Sequence, residues 1–455
     1  MTSLQHITHV YFIGIGGIGM SALARYLHEQ GKVVAGYDRV TTALTQQLED
    51  EGIHIHYDDN FSAIPAAFKN VSTAQVIYTP AVPATMDELV RFRESGVSTI
   101  KRAQLLGQIS QTMTCLAVAG THGKTTTSAI LAHLLYKSDV KVTAFCGGIL
   151  EEFKTNYLCS GTDVMVVEAD EFDRSFMQLS PDIAGITAID ADHLDIYGDV
   201  ETFEQTFHDF AGLLDYKKLL VNEQVSIDGI VVGVQNGYYK AVEVTVVNGS
   251  YHFDLQIGES IYKGFVLQLP GKHNLSNALL ALAMAMEYGV EVEKLRLALG
   301  SFQGVERRFT YRVNTVDRVL IDDYAHHPTE ISAVHQAVRE MYPDEEVLVI
   351  FQPHLFSRTK DFMEEFAFSL GQFDKLALLD IYPARELPIE GITSQALCSK
   401  IKELDKKPAV ITVLDKEDLE EFIVEMNTRL VVMIGAGDIG IEIQKLTNKF
   451  LKHER

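Results

Sequence analysis

Residues 117–127, Ala-Val-Ala-Gly-Thr-His-Gly-Lys-Thr-Thr-Thr, carry the residue types that hold a triphosphate. Glycines let the backbone N–H groups turn inward, and the ammonium of Lys124 supplies positive charge for β- and γ-phosphates. The Thr125 hydroxyl can bind Mg²⁺, and the start of the following helix adds partial positive charge. Val118 stands where the common longer form of this loop has its first glycine. The segment predicts an ATP site made by Gly120, Thr121, His122, Gly123, Lys124, Thr125 and Thr126.

A second glycine-rich turn follows an apolar run near the start of the chain. It reads Gly14-x-Gly16-Gly17-x-Gly19, and Asp38 ends the next predicted strand. The pattern is typical of a dinucleotide-binding turn, in which glycines let a diphosphate approach the backbone and the acidic residue accepts a ribose hydroxyl. NAD is the obvious ligand, but any nucleoside diphosphate satisfies the same physics. A tight strand-to-helix turn without a ligand is the alternative.

Acidic residues follow two further apolar runs in the central part of the chain. Glu168 comes directly after the run 164–167, where the second protein ligand of a nucleotide-bound Mg²⁺ is expected. Three more acidic residues follow in the same segment, and they either contribute to this site or simply solvate the loop: Asp170, Glu171 and Asp173. His193, flanked by carboxylates, follows the next run and predicts either a metal ligand or a charged loop cluster.

The segment Gly271-Lys-His-Asn opens a predicted helix. His273 and Asn277 have side chains that hydrogen-bond a base or a ribose. The alternative is that Asn274 or Ser276 merely caps the helix.

The last third of the chain has two histidine-rich segments, each after an apolar run, at residues 322–328 and 351–359. In open α/β sheets the carboxyl ends of the strands hold ligands, and histidines together with Arg358 suit a substrate that carries a carboxylate. The pair Arg307 and Arg308 lies at a predicted linker. Its cations are placed to stabilise a γ-phosphate or an acyl phosphate, and a solvated linker pair is the alternative.

The elements that must position these residues form three α/β units, which we expect at residues 1–111, 112–305 and 306–455. A length of 455 residues favours about three domains. Alternating strands and helices predict parallel, doubly wound sheets. A hairpin is expected between residues 241 and 269, with its turn at Asn248-Gly249. The clearest predicted strands are Lys32–Tyr37, Gln75–Tyr78, Val164–Val167, Ile183–Ile189, Leu219–Val221, Ile230–Val234, Arg318–Ile321, Val347–Phe351, Lys375–Leu379 and Leu430–Ile434.

Composition excludes several classes of protein. A hydrophobic content of 47% with 22% charged residues is that of a globular protein, which argues against disorder. The formal charge of −23 argues against non-specific binding to nucleic acid or to an anionic membrane. The four cysteines form no CxxC pair and no zinc spacing, which favours reduced cytosolic thiols. No apolar run is long enough to span a membrane, so we expect a soluble cytoplasmic protein.

The order of these motifs resembles that of the Mur ligases, the ATP-dependent amino-acid ligases of bacterial cell-wall synthesis. The resemblance extends over the full chain and rests on motifs that begin at Gly14, Gly120, Glu168, Asp192, Asp323 and Phe351. It implies three domains: a Rossmann-like one for a UDP-sugar, a central P-loop ATPase-like one for ATP, and a Rossmann-like one for the amino acid.

The resemblance also implies roles for individual residues. Those implied to hold the UDP-sugar are Gly14, Gly16, Gly17, Gly19, Met20, Ser21 and Asp38. Metal ligands are implied at Thr125, Glu168 and His193, and further ATP contacts at His273, Asn277 and Arg307. Catalytic roles are implied for Lys124, His193, Arg308, Asp323 and His326, and amino-acid binding for Tyr324, His354 and Arg358.

The implied reaction joins L-alanine to the lactyl carboxylate of UDP-N-acetylmuramate, with ATP and Mg²⁺ as cofactors and an acyl phosphate as intermediate. The alternative within the family attaches a recycled tripeptide to the same sugar nucleotide. Outside it, the alternatives are a nicotinamide oxidoreductase with an accessory ATPase and a non-catalytic UDP-sugar sensor. We expect a monomer or weak dimer that neither binds nucleic acid nor inserts stably into a membrane.

Three positions depart from the family pattern. Leu355 stands where members often have arginine, which places more of the carboxylate recognition on Arg358. Ala188 replaces a usual asparagine. No lysine near His208 matches the carbamylated lysine that several relatives use, which fits the alanine-adding branch.

Overall fold

The computed structural model of the chain describes residues 6–190, 199–247, 250–384 and 386–453. The chain forms two compact units. The first consists of Met1–Val244, Phe253–Val266 and Ser276–Phe302, and the second of Thr245–His252, Leu267–Leu275 and Gln303–Arg455. Within the described residues, no helix combines the length and apolar character needed to cross a bilayer.

The first sheet has five parallel strands in the order β3-β2-β1-β4-β5. Val10 to Ile13 are fully or almost fully buried, because helices cover both faces of such a sheet. The order matches five of the six strands of the Rossmann fold, 3-2-1-4-5-6. The strands are β1 His9–Ile13, β2 Val33–Tyr37, β3 His54–His56, β4 Ala74–Tyr78 and β5 Ser98–Lys101. The helices are α1 Ile18–Glu29, α2 Ala43–Asp50, α3 Asp87–Ser95 and α4 Arg102–Ser110.

The second sheet has ten strands in the order β15-β14-β13-β12-β11-β10-β6-β9-β7-β8. Strands β6, β9, β10 and β11 are parallel, so their carboxyl ends lie at one edge, whereas β7 and β8 pair antiparallel. The strands are β6 Thr114–Ala119, β7 Val142–Leu150, β8 Thr155–Cys159, β9 Val164–Glu168, β10 Ile183–Ile186, β11 Leu219–Asn222, β12 Ile230–Gly233, β13 Tyr239–Val247, β14 Ser250–Ile257 and β15 Ser260–Leu267. The helices are α5 Lys124–Lys137, α6 Val200–Ala211, α7 Lys272–Tyr288 and α8 Val292–Leu299.

The third sheet has six strands in the order β16-β17-β21-β18-β19-β20, of which only the edge pair β16 and β17 is antiparallel. Apolar clusters cover both of its faces. The strands are β16 Thr310–Asn314, β17 Val319–Asp323, β18 Val347–Phe351, β19 Lys375–Leu378, β20 Val410–Val413 and β21 Leu430–Ile434. The helices are α9 Pro328–Met341, α10 Phe356–Asp361, α11 Met363–Leu370, α12 Ser394–Lys402, α13 Leu419–Met426 and α14 Ile439–His453.

Three mostly parallel sheets confirm the predicted α/β class with a Rossmann-like first sheet, a central ATPase-like sheet and a Rossmann-like third sheet. Strand β10 ends at Ile186, three residues earlier than predicted, because the following backbone turns to bind the phosphate loop. The sequence analysis missed the antiparallel pair β7 and β8. The predicted turn at Asn248-Gly249 lies outside the described residues, between β13 and β14.

Candidate active site

The phosphate loop joins the carboxyl end of β6 to the start of α5. Gly120 and Gly123 have φ values of 130° and 83°, a region that side-chain-bearing residues rarely adopt. A Cβ atom on Gly120 would approach Thr187 closer than 3.0 Å, and one on Gly123 would approach Asn277 equally closely. Only glycine therefore lets the loop backbone pass so near both side chains.

The segment after β10 holds the loop in place. The Thr187 hydroxyl donates to the backbone oxygens of Ala119, at 3.1 Å, and His122. The backbone N–H of Thr121 donates to the Ala188 oxygen at 2.9 Å. Thr187 is a supporting residue that sequence reasoning missed. Because Ala188 acts through its main chain, this contact does not depend on the side chain at position 188.

Lys124, the first residue of α5, points its ammonium into a ring of oxygen atoms. It donates to both carboxylate oxygens of Glu171, at 2.9 and 2.8 Å, and to the backbone oxygen of Gly120. Burial lowers the pKa of this lysine, but the negative charges of Glu171, Asp170 and Glu168 outweigh it and raise the pKa above its ordinary value. The ammonium is therefore held charged and oriented at the mouth of the loop.

The sequence left the role of Glu171 open, and the structure pairs this residue with Lys124. We expected either a role at the site or a solvated loop, and the structure buries its side chain to 3% exposure against Lys124. Its place in the acidic segment after β9, next to a lysine-bearing loop at the same sheet edge, was the available signal.

Glu168, at the end of β9, gathers three donors. Its carboxylate accepts from the Thr125 hydroxyl at 3.2 Å, the Ser128 hydroxyl at 3.1 Å and the Gly147 backbone at 2.5 Å. Burial raises the pKa of the carboxyl group. A carboxylate paired with a threonine hydroxyl beside a phosphate loop is a hard-oxygen donor set that fits Mg²⁺.

His193, the expected ligand of a second metal ion, lies outside the described residues. Among the residues that are described, no group of three or more histidine, cysteine or acidic side chains is arranged to hold a metal by itself.

The first glycine turn joins β1 to α1 and is braced by Asp38. The Asp38 carboxylate accepts from the Gly16 backbone at 2.7 Å, so in this structure it supports the turn itself. Gly14 has a φ of 85°, and Gly17 immediately precedes α1. Met20 and Ser21 are buried in the first turn of α1, behind the loop.

A guanidinium lies against this turn. A Cβ atom on Gly19 would approach Nη1 of Arg102 closer than 3.0 Å, and the Nη2 atom of Arg102 lies 2.8 Å from the Asp170 carboxylate. Sequence reasoning missed Arg102, although a Lys-Arg pair at the junction of β5 and α4 was visible. The start of α1 thus combines helix N–H groups with a neighbouring cation.

The second compact unit holds the arginine pair. Arg307, with a φ of 60°, donates to the Asp322 carboxylate at 3.2 Å and to the Gly435 backbone at 2.5 Å. Arg312 binds the same carboxylate at 2.9 Å. These bonds orient Arg307 instead of leaving it as a solvated linker residue.

Tyr324 follows β17 and lies between the two arginines, with guanidinium carbons 5.1 Å (Arg307) and 5.3 Å (Arg308) from its ring centre. Arg308 also lies 3.8 Å from a carboxylate oxygen of Glu330. The buried Asp323 accepts from the backbones of Phe309 and Ala325, and burial raises the pKa of its carboxyl group to about 6.

His326 and His354 come together from different strand ends, with ring centres 5.8 Å apart. Nδ1 of His326 donates to the Tyr324 backbone at 3.0 Å and lies 3.3 Å from Glu330. Burial lowers the pKa of His326 to about 4, so the ring is neutral at physiological pH.

Arg358, in α10, lies close enough to His326 to lower its pKa further. Leu355, immediately before α10, has a φ of 73°. Backbone strain at a residue without a special conformational preference is typical of functional loops.

His273 and Asn277 begin the same helix but belong to different compact units. Asn277 is buried beside Gly123 in the first unit. His273 lies near Gly271, Arg308 and Glu330 in the second. The described site residues thus fall into a nucleotide-loop group and an arginine–histidine group.

Family models match along the chain: the Mur ligase family catalytic domain at residues 9–114, the Mur ligase middle domain at 118–285, and the Mur ligase glutamate ligase domain at 307–437.

Curated relatives and a solved structure cover nearly the whole chain. A UDP-N-acetylmuramate–L-alanine ligase of Christiangramia forsetii is 53% identical over 100% of both chains. One of Flavobacterium johnsoniae is 50% identical over 98% of this chain and 99% of its own. The structure of a UDP-N-acetylmuramate–alanine ligase from Thermotoga maritima is 28% identical, covers 98% of this chain and 99% of its own, and superposes with a TM-score of 0.83.

A murein peptide ligase from Psychrobacter arcticus shares the fold, with a TM-score of 0.71 at 22% identity over 97% of this chain and 98% of its own. The resemblance drawn from the motifs is thereby confirmed. The three matched models and the full-length identity show that the chain belongs to the Mur ligase family.

Proposed function

We propose that this protein joins L-alanine to the lactyl carboxylate of UDP-N-acetylmuramate at the expense of ATP, in peptidoglycan precursor synthesis. The observation that carries the proposal is full-length identity of 53% to an enzyme with that name. The oriented Lys124 and the Thr125–Glu168 pair supply the ATP-binding part of the chemistry.

A carboxylate and an amine do not condense at neutral pH, so the carboxyl oxygen must first become a leaving group. The lactyl carboxylate attacks the γ-phosphorus of ATP, which breaks the bond to ADP and forms an acyl phosphate. The amine of alanine then attacks the acyl carbon, loses a proton, and expels inorganic phosphate from a tetrahedral intermediate. Such reactions depend mainly on positioning and on charge stabilisation.

Each proposed catalytic residue has a role in these reaction steps. Lys124 neutralises the phosphates that leave with ADP, and the helix start at α5 adds to that field. Arg308 is proposed to stabilise the acyl phosphate, and Asp323 and His326 to orient the groups around it. Because Nδ1 of His326 donates to the Tyr324 backbone, Nε2 of the neutral ring can accept a hydrogen bond from the amine of alanine and orient it.

Thr125 and Glu168 are proposed to hold Mg²⁺, with His193 as ligand of a second ion. When bound, Mg²⁺ offsets the repulsion between the carboxylate and the triphosphate. His122, Thr126, Asn277, His273 and Arg307 are proposed to complete the ATP site. The first glycine turn is proposed to hold the UDP diphosphate, and Tyr324, His354 and Arg358 to receive alanine.

The three domains are proposed to span residues 1–111, 112–305 and 306–455. The protein is proposed to be cytoplasmic and to act as a monomer or weak dimer.

A phosphate-release assay across sugar nucleotides and amino acids tests this function. Rapid release is expected with UDP-N-acetylmuramate and L-alanine together, and little with either alone. Preference for the murein tripeptide over alanine would support the alternative ligase instead. An isotopic oxygen in the lactyl carboxylate should appear in the released phosphate, and its absence would contradict the acyl phosphate.

A further inference from the structure

The antiparallel pair β7 and β8 carries a buried asparagine that reaches into helix α1. The Nδ2 atom of Asn156 donates to the Ile18 backbone oxygen at 2.5 Å and to the Ser21 hydroxyl at 2.9 Å. Its Oδ1 atom accepts from Nη1 of Arg25 at 2.6 Å. Because Arg25 can only donate, these contacts fix the orientation of the amide, and they use both its N–H donors and its oxygen.

The contact lies directly behind the glycine turn. Ile18 is the first residue of α1, and the Ser21 hydroxyl also donates to the Ile18 oxygen at 2.9 Å. Asn156 and Ser21 are fully buried, and Arg25 is 6% exposed. Loss of the Asn156 side chain would therefore remove three hydrogen bonds from a buried interface.

The same face of α1 continues along the hairpin. Ser21, Arg25 and Glu29 are spaced four residues apart and so lie on one side of the helix. Glu29 accepts from the Tyr157 hydroxyl at 2.7 Å, at the far end of α1 from the glycine turn. The interface thus has one contact at the turn and another two helical turns away from it.

The other strand of the hairpin reaches the metal-binding carboxylate. The Gly147 backbone in β7 donates to Glu168 at 2.5 Å. A Cβ atom there would approach both carboxylate oxygens closer than 3.0 Å. One hairpin therefore contacts helix α1, which follows the first glycine turn, and the Glu168 carboxylate, which lies beside the phosphate loop.

We propose that the β7–β8 hairpin is a positioning element that sets the UDP-sugar loop relative to the ATP and metal site, with Asn156 as its positioning residue. The proposal rests on the proposed function. In-line attack by the lactyl carboxylate requires the two substrates to be held within a fraction of an ångström. A misplacement of about 1 Å from a change far from the chemistry costs about 100-fold in rate.

The test is Asn156→Ala, with Tyr157→Phe as a matched control at the same interface. We expect Asn156→Ala to lower kcat about 100-fold at saturating substrates, with the Kd for ATP changed less than about twofold. Tyr157→Phe should lose stability but keep kcat. Amide hydrogen exchange should speed up in Asn156→Ala at both residues 14–23 and the Gly147 segment, and in Tyr157→Phe at neither.

Unchanged kcat in Asn156→Ala would overturn the proposal, as would equal loss of kcat in both variants in proportion to their unfolded fractions. If Asn156→Ala does not fold, Asn156→Asp keeps the oxygen that accepts from Arg25 but lacks the amide hydrogens donated to Ile18 and Ser21, and it is judged by the same readouts. If the wild-type protein releases no phosphate, the proposed function fails, and hydrogen exchange alone still decides whether Asn156 connects the two loops.

Discussion

Lys124 illustrates how a single side chain is prepared for an anion. Its ammonium is charged, partly buried and bonded to Glu171 and to loop carbonyls. A triphosphate that binds here must share or replace the carboxylate partner. The lysine is then already desolvated and aimed, so little reorganisation is needed when charge develops.

Lys124→Ala should therefore reduce turnover by at least about 1,000-fold, since each ~1.4 kcal/mol of lost transition-state stabilisation is tenfold in rate. Steady-state phosphate release measures the effect. Lys137→Ala, at the other end of α5, removes a partly exposed lysine and serves as control. Near wild-type turnover in Lys124→Ala would contradict the assignment of the phosphate loop.

Asp323 gives a residue-scale prediction about pH. Its folded-state pKa of about 6 lies above the ordinary value of 3.8, so the folded protein binds the proton more tightly than the unfolded chain. Stability must then fall as pH rises from about 4 to about 6, by roughly 2–3 kcal/mol from this group.

Chemical unfolding of wild type and Asp323→Asn between pH 4 and pH 8 checks this. The unfolding free energy of the wild type, relative to that of Asp323→Asn, should decrease as pH rises to about 6 and stay constant above about 7. A difference independent of pH would show that Asp323 titrates normally.

At the scale of elements, the strand–loop–helix unit from β6 to α5 depends on close backbone approach. Gly120 needs both a positive φ and space beside Thr187. Gly289, after α7, has a similar φ of 113° but no atom within 4 Å of a Cβ position. A comparison of alanine substitutions at the two glycines therefore separates the cost of backbone strain from that of steric overlap.

Gly289→Ala should cost about 1 kcal/mol of stability from strain alone and leave ATP binding intact. Gly120→Ala should cost more and weaken ATP binding at least tenfold, at ~1.4 kcal/mol per tenfold. Thermal unfolding and calorimetric titration with ATP measure both effects. Equal effects of the two substitutions would argue that the loop tolerates displacement.

At the scale of the whole molecule, the first compact unit contains both glycine-rich loops and the carboxylate proposed for Mg²⁺. The two loops use different chemistry, however. The loop proposed for ATP has the Thr125–Glu168 oxygen pair, whereas the first glycine turn offers backbone N–H groups and the nearby Arg102. Their ligands should therefore differ in their dependence on metal.

Removal of divalent metal with EDTA should abolish phosphate release and most of the thermal stabilisation by ATP. Stabilisation by UDP-N-acetylmuramate should remain, at about 2.7 kcal/mol when its concentration is a hundred times Kd. Differential scanning calorimetry with each ligand, with and without EDTA, measures this. Loss of both stabilisations would contradict separate binding loops.

The sequence by itself determined the α/β class, most parallel strands and the phosphate loop. These features are local: strand propensity, glycine spacing and the Lys-Thr pair act within a few residues. The family could also be recognised from the sequence, because each motif is local and the motifs keep their order along the chain.

Only the tertiary structure decided which side chains support those motifs. Glu171 pairs with Lys124, Thr187 holds the loop, and Asn156 reaches α1 across 135 residues of chain from Ser21. Burial and hydrogen-bond partners of this kind depend on packing between distant segments, which no local pattern encodes. The proposed role of the β7–β8 hairpin likewise depends on its tertiary contacts with α1 and Glu168.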